Sequence, residues 1–228
     1  MNLPTAAVAV DEKAYSAMAR ASGFLRRLTL FGKQDIVMTG KISPGHFGFQ
    51  ESEDEVVDLG DSVDLLPLAR RAKALDMNGK KPIEVYDPSS EAWADIQRRA
   101  DTVKNSRCMY GVSILCIERT TGDFCEWFAG STTTRRDVGK FYPHLPVSVA
   151  EAKASGGEPK PSTPVTMKSK YIKGEEFSWY GPVTTSCSTP FANLPSAQLI
   201  YDAVDKFLNP KTAKTEVAED GEDEADDR

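Results

Sequence analysis

Residues 107–143 read RCMYGVSILCIERTTGDFCEWFAGSTTTRRDVGKFYP, and the fold turns on them. Residues 109–118 are a nearly continuous apolar run, rich in the β-branched and aromatic side chains that suit a buried pleated surface. Arg119-Thr120-Thr121-Gly122-Asp123 supplies a polar turn whose glycine is free to take positive φ. Residues 124–129 return as a second strand with aromatics on both faces, so a hairpin at the centre of a sheet is predicted. Gly130-Ser131-Thr132 then reads as the start of a helix, with a hydroxyl accepting from the free amides of the first turn. Arg135, Arg136 and Lys140 follow at once. The best-packed stretch of the chain therefore leads straight into a basic surface.

Upstream, residues 87–103 predict a helix with Asp87 as N-cap, Pro88 at the first position and Glu91 at the positive dipole end. Trp93, Ile96, Ala100 and Val103 recur at helical spacing and are expected to face the core, with Arg98 and Arg99 outside. In LLPLARRAKAL, residues 65–75, the Ala and Arg content favours a helix but Pro67 opposes one, and an edge strand is the reading preferred. Short strands are expected over 28–31 and 36–38, a glycine-punctuated turn or bulge over 44–49, and an acidic surface loop over 50–64 with a short strand near Val56 and Val57. Residues 11–22 suggest a short helix capped by Asp11 and stopped at Gly23. Downstream, residues 147–163 read as a long loop, and long loops inside domains are commonly functional. Residues 165–172 alternate, with Val165, Met167 and Tyr171 on one face and Lys168 and Lys170 on the other. Strands over 177–180 and 183–185 are split by Gly181-Pro182, and an amphipathic helix over 195–208 ends at Asn209-Pro210.

About six to eight short strands with turn signals between them predict a mainly β fold with flanking helices (α+β), built as a small barrel or sandwich. The expected organisation is an N-terminal segment with a short helix (1–26), a single β-rich domain (27–209) and a disordered acidic tail (210–228). The tail follows from charge placement. Of 34 acids and 28 bases, eight acids and one base fall in residues 216–228, leaving residues 1–215 with 26 acids against 27 bases. Like-charge repulsion and the lack of any large apolar residue leave that tail nothing to fold around.

No run approaches the ~18 apolar residues of a membrane span. The N-terminal MNLPTAAVAVDEKAYSAMARASG has no basic start before its apolar patch, so no secretory leader, no membrane association and a cytoplasmic location are expected. The four cysteines, Cys108, Cys116, Cys125 and Cys187, make no C-x-x-C pair, and the only histidines are His46 and His144. Neither a metal nor any other cofactor is expected. There is no phosphate-binding glycine loop, nucleophile elbow or zinc-protease helix. A cysteine served by His46 or His144 is the catalytic arrangement left open.

Binding has more support. Trp127 and Phe128 precede Arg135, Arg136 and Lys140; Lys168, Lys170 and Lys173 precede Trp179 and Tyr180; Lys33 and Lys41 precede Phe47 and Phe49. Cations tracking phosphates beside rings that stack on unpaired bases are what holds a single nucleic-acid strand. Stacking is assigned to Trp127, Trp179 and Tyr180, and phosphate contact to Arg135, Arg136, Lys140, Lys168 and Lys170. A polyanionic tail tethered near such a surface competes with nucleic acid at high effective concentration.

The acidic end AEDGEDEADDR (218–228) on a mainly β body resembles bacteriophage single-stranded DNA-binding proteins with an OB-fold core. GKISPGHFGF (40–49), VYDPSSEAWADI (85–96), WFAGSTTTRRDVGKFYP (127–143) and FSWYGPVTTSCSTPF (177–191) also look like pieces of phage-encoded proteins. The tail differs from the usual pattern by ending in Arg228, where many such proteins end in an aromatic residue. The resemblance implies an OB-like barrel, single-stranded DNA (or RNA) as ligand, replication proteins as partners of the tail, self-association, and a place in phage replication or recombination within the host cytoplasm. Two rival readings are a phage structural or assembly protein and an inhibitor of a host nucleic-acid enzyme.

Overall fold

The computed structural model describes residues 25–32, 37, 40–51, 55–79, 82–174, 178–191 and 194–210. The helix expected over 11–22, most of the strand expected over 36–38 and the acidic tail lie outside these residues. The described part is mainly β. Nine strands, β1 (Arg26–Leu30), β2 (Phe47–Gln50), β3 (Val56–Gly60), β4 (Ser62–Asp76), β5 (Ile83–Val85), β6 (Cys108–Glu118), β7 (Phe124–Ala129), β8 (Val165–Lys173) and β9 (Ser178–Ser186), form one sheet. Its order is β3-β2-β1-β7-β6-β4-β8-β9, with β5 beside β4, and only the β1–β7 pair is parallel. Four α-helices accompany it: α1 (Glu91–Thr102), α2 (Thr132–Val138), α3 (Val149–Ser155) and α4 (Ala197–Leu208), with a 3-10 turn over Gly139–His144.

The expected central hairpin is β6–β7, with Ile114 opposite Trp127, Cys116 opposite Cys125, and Gly122 at φ +74° in the turn. Beside it runs β4, which is a central strand and not an edge. It pairs with β8 through Leu65, with β6 from Leu65 onward, and with β5 at Ala74–Asp76. Pro67 sits where the β4–β6 register shifts, and a bulge tolerates the missing amide donor. β3 runs into β4 with Asp61 alone between them, so the outermost strand returns to the middle one and the sheet curls on itself.

The curl encloses Phe47, Phe49, Leu65, Ile114, Trp127 and Met167, and Val138 and Phe141 plug the same cluster from α2 and the 3-10 turn. On the other face of β4 and β6, Leu66, Leu68, Leu115 and Ile117 pack on Ile200 and Phe207 of α4. α1 lays Trp93 and Ile96 on Ala74 and Cys108.

Several boundaries differ from the sequence reading. Ser90, not Asp87, caps α1; the Asp87 carboxylate instead accepts from the amide and hydroxyl of Ser89. Val103 leaves the helix in an extended conformation and is 49% exposed, outside the core. The loop expected over 147–163 contains α3, made by a Ser148/Glu151 capping box and a left-handed Gly156, with only Ala152 buried. Its apolar signal was too small to register. The turn expected over 44–49 ends in a strand, and the two strands expected around Gly181-Pro182 are one, β9, whose place at the end of the sheet accommodates Pro182. Among the described residues no helix is long and apolar enough to cross a membrane.

A buried ionic cluster fastens β4 to β7. The Lys73 ammonium, 1% exposed, lies 2.7 Å from Glu84 and 2.9 Å from Glu126. Arg71 reaches Glu126 at 3.2 Å and the carbonyl of Phe207 at 2.6 Å, its guanidinium held against the Tyr86 and Phe207 rings. Burial opposes ionisation of Glu126, but Lys73, Ser113 and Arg71 together hold its carboxyl below the usual range. Breaking a buried pair leaves a charge without compensation. Lys73→Met is therefore expected to lower unfolding stability by ~3–5 kcal/mol, read from urea denaturation.

Candidate nucleic-acid interface

β4 stops pairing with β8 at Lys168, and beyond that point β8 and β9 continue as a two-stranded ribbon. Lys168 and Lys170 are exposed on it, opposite Val183 and Gly181. Tyr171 and Tyr180 face each other across the ribbon with ring centroids 5.2 Å apart and a tilt of 59°. Tyr171 is 57% exposed. Tyr180 is half-buried over Gly45, where a Cβ would stand 2.5 Å from the ring. Only glycine gives the 40–46 loop both its positive φ, +85°, and this close seat beneath Tyr180. Trp179 is half-buried and pairs with Ile172.

The second basic segment lies against the same ribbon. Ser131 and Thr134 form a capping box that starts α2. The buried Asp137 at its far end accepts from the Thr184 amide and hydroxyl on β9, and Lys140 pairs with the same carboxylate at 2.8 Å. Gly181 approaches Thr133 so closely that a Cβ would lie 2.9 Å from its methyl group. Arg135 lies half-buried over the Tyr110 ring at 4.3 Å, and Arg136 is exposed. Segments more than 30 residues apart thus meet along β9, as single-strand recognition would need.

Carboxylate pairing is uneven over the body, and cations without an ion pair among the described residues also occur away from this surface, at Arg70, Lys104, Arg107 and Lys160. Arg26, Arg27, Arg71, Lys73, Arg98, Arg99, Arg119 and Lys140 all have carboxylate partners. Among the described residues no ion pair engages Arg135, Arg136, Lys168 or Lys170. Arg136, Lys168 and Lys170 are exposed, and Arg135 lies over the Tyr110 ring.

One assigned ring is in the wrong place. Trp127 is 4% exposed, edge-on to Phe47 at 6.3 Å, and has no face on which a base could stack. The alternation of β7 turns it inward opposite Ile114. Phe47 and Phe49 of the third basic-aromatic segment are core residues too, and Lys33 lies outside the described residues. Tyr171 was overlooked for the converse reason. It shares a face with Val165 and Met167, but the ribbon carries it past the core that buries them.

The thiols and imidazoles have their own surroundings. Burial raises the Cys116 and Cys125 thiols well above their ordinary range. His46 bonds Asp58 at 2.9 Å. His144 bonds Thr163 at 2.8 Å and Ser186 at 3.4 Å, its pKa lowered by burial and by Lys160. Among the described residues no group of three His, Cys, Asp or Glu side chains could hold a metal ion.

Compared with protein-family models, curated proteins and solved structures, the chain has no significant match.

Because Asp137 is the polar tie between α2 and β9, Thr184→Val is expected to lower stability by ~1.5–3 kcal/mol, the range for a hydrogen bond to a charged group. Thermal melts against the parent protein check this, and an unchanged midpoint would show that the tie contributes nothing.

Proposed function

We propose that this protein binds single-stranded DNA, as a binding protein and not a catalyst, with the β8–β9 ribbon and α2 as one continuous surface. The observation that carries the reading is that Arg135, Arg136, Lys168 and Lys170, none of them in an ion pair among the described residues, lie on adjacent elements, with Trp179 on the lysine face of the ribbon and the Tyr171–Tyr180 ring pair on its opposite face. Lysine and arginine neutralise phosphates and release counterions, while exposed rings stack on bases regardless of identity. Trp179, half-buried at the same ribbon, is the third ring of the set.

The reading takes the curled sheet as an OB-like barrel, the partly open type that presents one face to oligonucleotides. It places the protein in phage DNA replication or recombination in the host cytoplasm. The acidic residues 216–228 act as an internal competitor and as an arm for replication proteins.

Titration of a labelled oligothymidylate at two salt concentrations tests the proposal. Affinity should fall steeply with salt, at a log–log slope of roughly −0.7 per phosphate contact. Lys168→Ala with Lys170→Ala should flatten that slope, and Tyr171→Ala should cost ~1–3 kcal/mol of binding. Deleting residues 216–228 should tighten binding. Salt-insensitive binding, or a deletion that abolishes activity, would overturn the reading.

A further inference from the structure

The 3-10 turn that follows α2 inserts Phe141 into the core and turns the next residue, Tyr142, outward, where its side chain is 37% exposed. Arg70 of β4 is exposed and lies 4.3 Å from the centre of the Tyr142 ring, without an ion pair among the described residues. Lys160 donates to the Pro143 carbonyl at 2.7 Å and so brings an ammonium group to the same turn. Lys140 stands two residues before Tyr142. The nearby carboxylates are engaged: Asp137 accepts from Thr184 and pairs with Lys140, and Glu151, which also feels the charge of Arg70, caps α3 through Ser148. His144, on the same turn, is held towards its neutral form by burial and by Lys160. The result is a ring and guanidinium in contact, with the Lys160 ammonium on the same turn, fixed to the core by Phe141.

We propose that the Arg70–Tyr142 stack is a second base-stacking site, reached by the same nucleic-acid strand after it leaves the ribbon. The inference rests on the reading of the ribbon and α2 as a single-strand surface. Guanidinium planes and tyrosine rings both accept unpaired bases, and here they are already paired with each other. Lys160 serves a flanking phosphate. The two platforms are joined by β9: its last residue, Ser186, meets His144 of the 3-10 turn, and Tyr180 lies six positions earlier. At ~3.3 Å per residue that separation is roughly 20 Å, which fits the ~4–16 nucleotides a fold of this size covers.

The test uses the full chain and an oligothymidylate of about 16 nucleotides, long enough for both platforms. Tyr142→Ala should weaken binding about 10-fold, in the range expected for one lost stack, and Tyr142→Phe should restore it. Arg70→Gln should weaken binding and flatten the salt slope, which Tyr142→Ala should leave unchanged. Ultraviolet cross-linking followed by peptide mapping should place the strand on the peptide holding Tyr142 as well as on that holding Tyr171. If Tyr171→Ala weakens binding while Tyr142→Ala and Arg70→Gln do not, the second site is refuted and the ribbon surface stands. If the parent protein binds no oligonucleotide, both fall together.

Discussion

The 15 residues of β4 hold three different neighbours, and the rest of the molecule follows from how that strand shares its two edges. One edge is given to β6 along most of its length. The other takes β8 at one end and β5 at the other, with the bulge at Pro67 just past Leu65, where the pairing with Val165 at the start of β8 lies. Because β4 supports β8 only as far as Lys168, the rest of the β8–β9 hairpin rests on α2 and on the 40–46 loop. The surface proposed to hold nucleic acid is thus a consequence of one strand's hydrogen bonding.

The charges follow the same division. Cations over the packed parts of the sheet are neutralised at close range, most completely at Lys73, where two carboxylates face one buried ammonium. Those cations serve the fold. On the ribbon and α2, among the described residues, no carboxylate pairs with Arg135, Arg136, Lys168 or Lys170, although Asp137 lies close by. Asp137 is buried and committed to Thr184 and Lys140, so it holds the surface together without cancelling it.

Much of the fold was legible in the sequence because local signals agreed with tertiary ones. The β6–β7 hairpin combined an apolar run, a Gly122 turn and a return strand, and α4 carried a clear apolar stripe. The central position of β4 was not legible, since Pro67 speaks for an edge and only the register shift explains how it fits inside. Of the rings on the proposed surface the sequence named Trp179 and Tyr180 but not Tyr171, and it named Trp127, which the core takes. Alternation assigns Trp127 and Tyr171 to faces correctly in relative terms, but it cannot tell which end of a face the core covers. Trp127 lies under the curl, Tyr171 lies beyond it, and their exposures are the reverse of what composition suggests. Tyr142 was hidden by its neighbour: Phe141 and Tyr142 are adjacent in sequence, and the 3-10 geometry alone decides which one is buried.

The account depends on the ribbon and α2 acting as one surface. The most direct measurement is an NMR titration of the isotopically labelled protein with a short oligothymidylate, following each backbone amide. The account predicts shifts that grow together and saturate at one stoichiometry, concentrated at Lys168–Tyr171, at Tyr180 and at Thr133–Arg136. Shifts centred on α1 or α4, or none at saturating oligonucleotide, would contradict it.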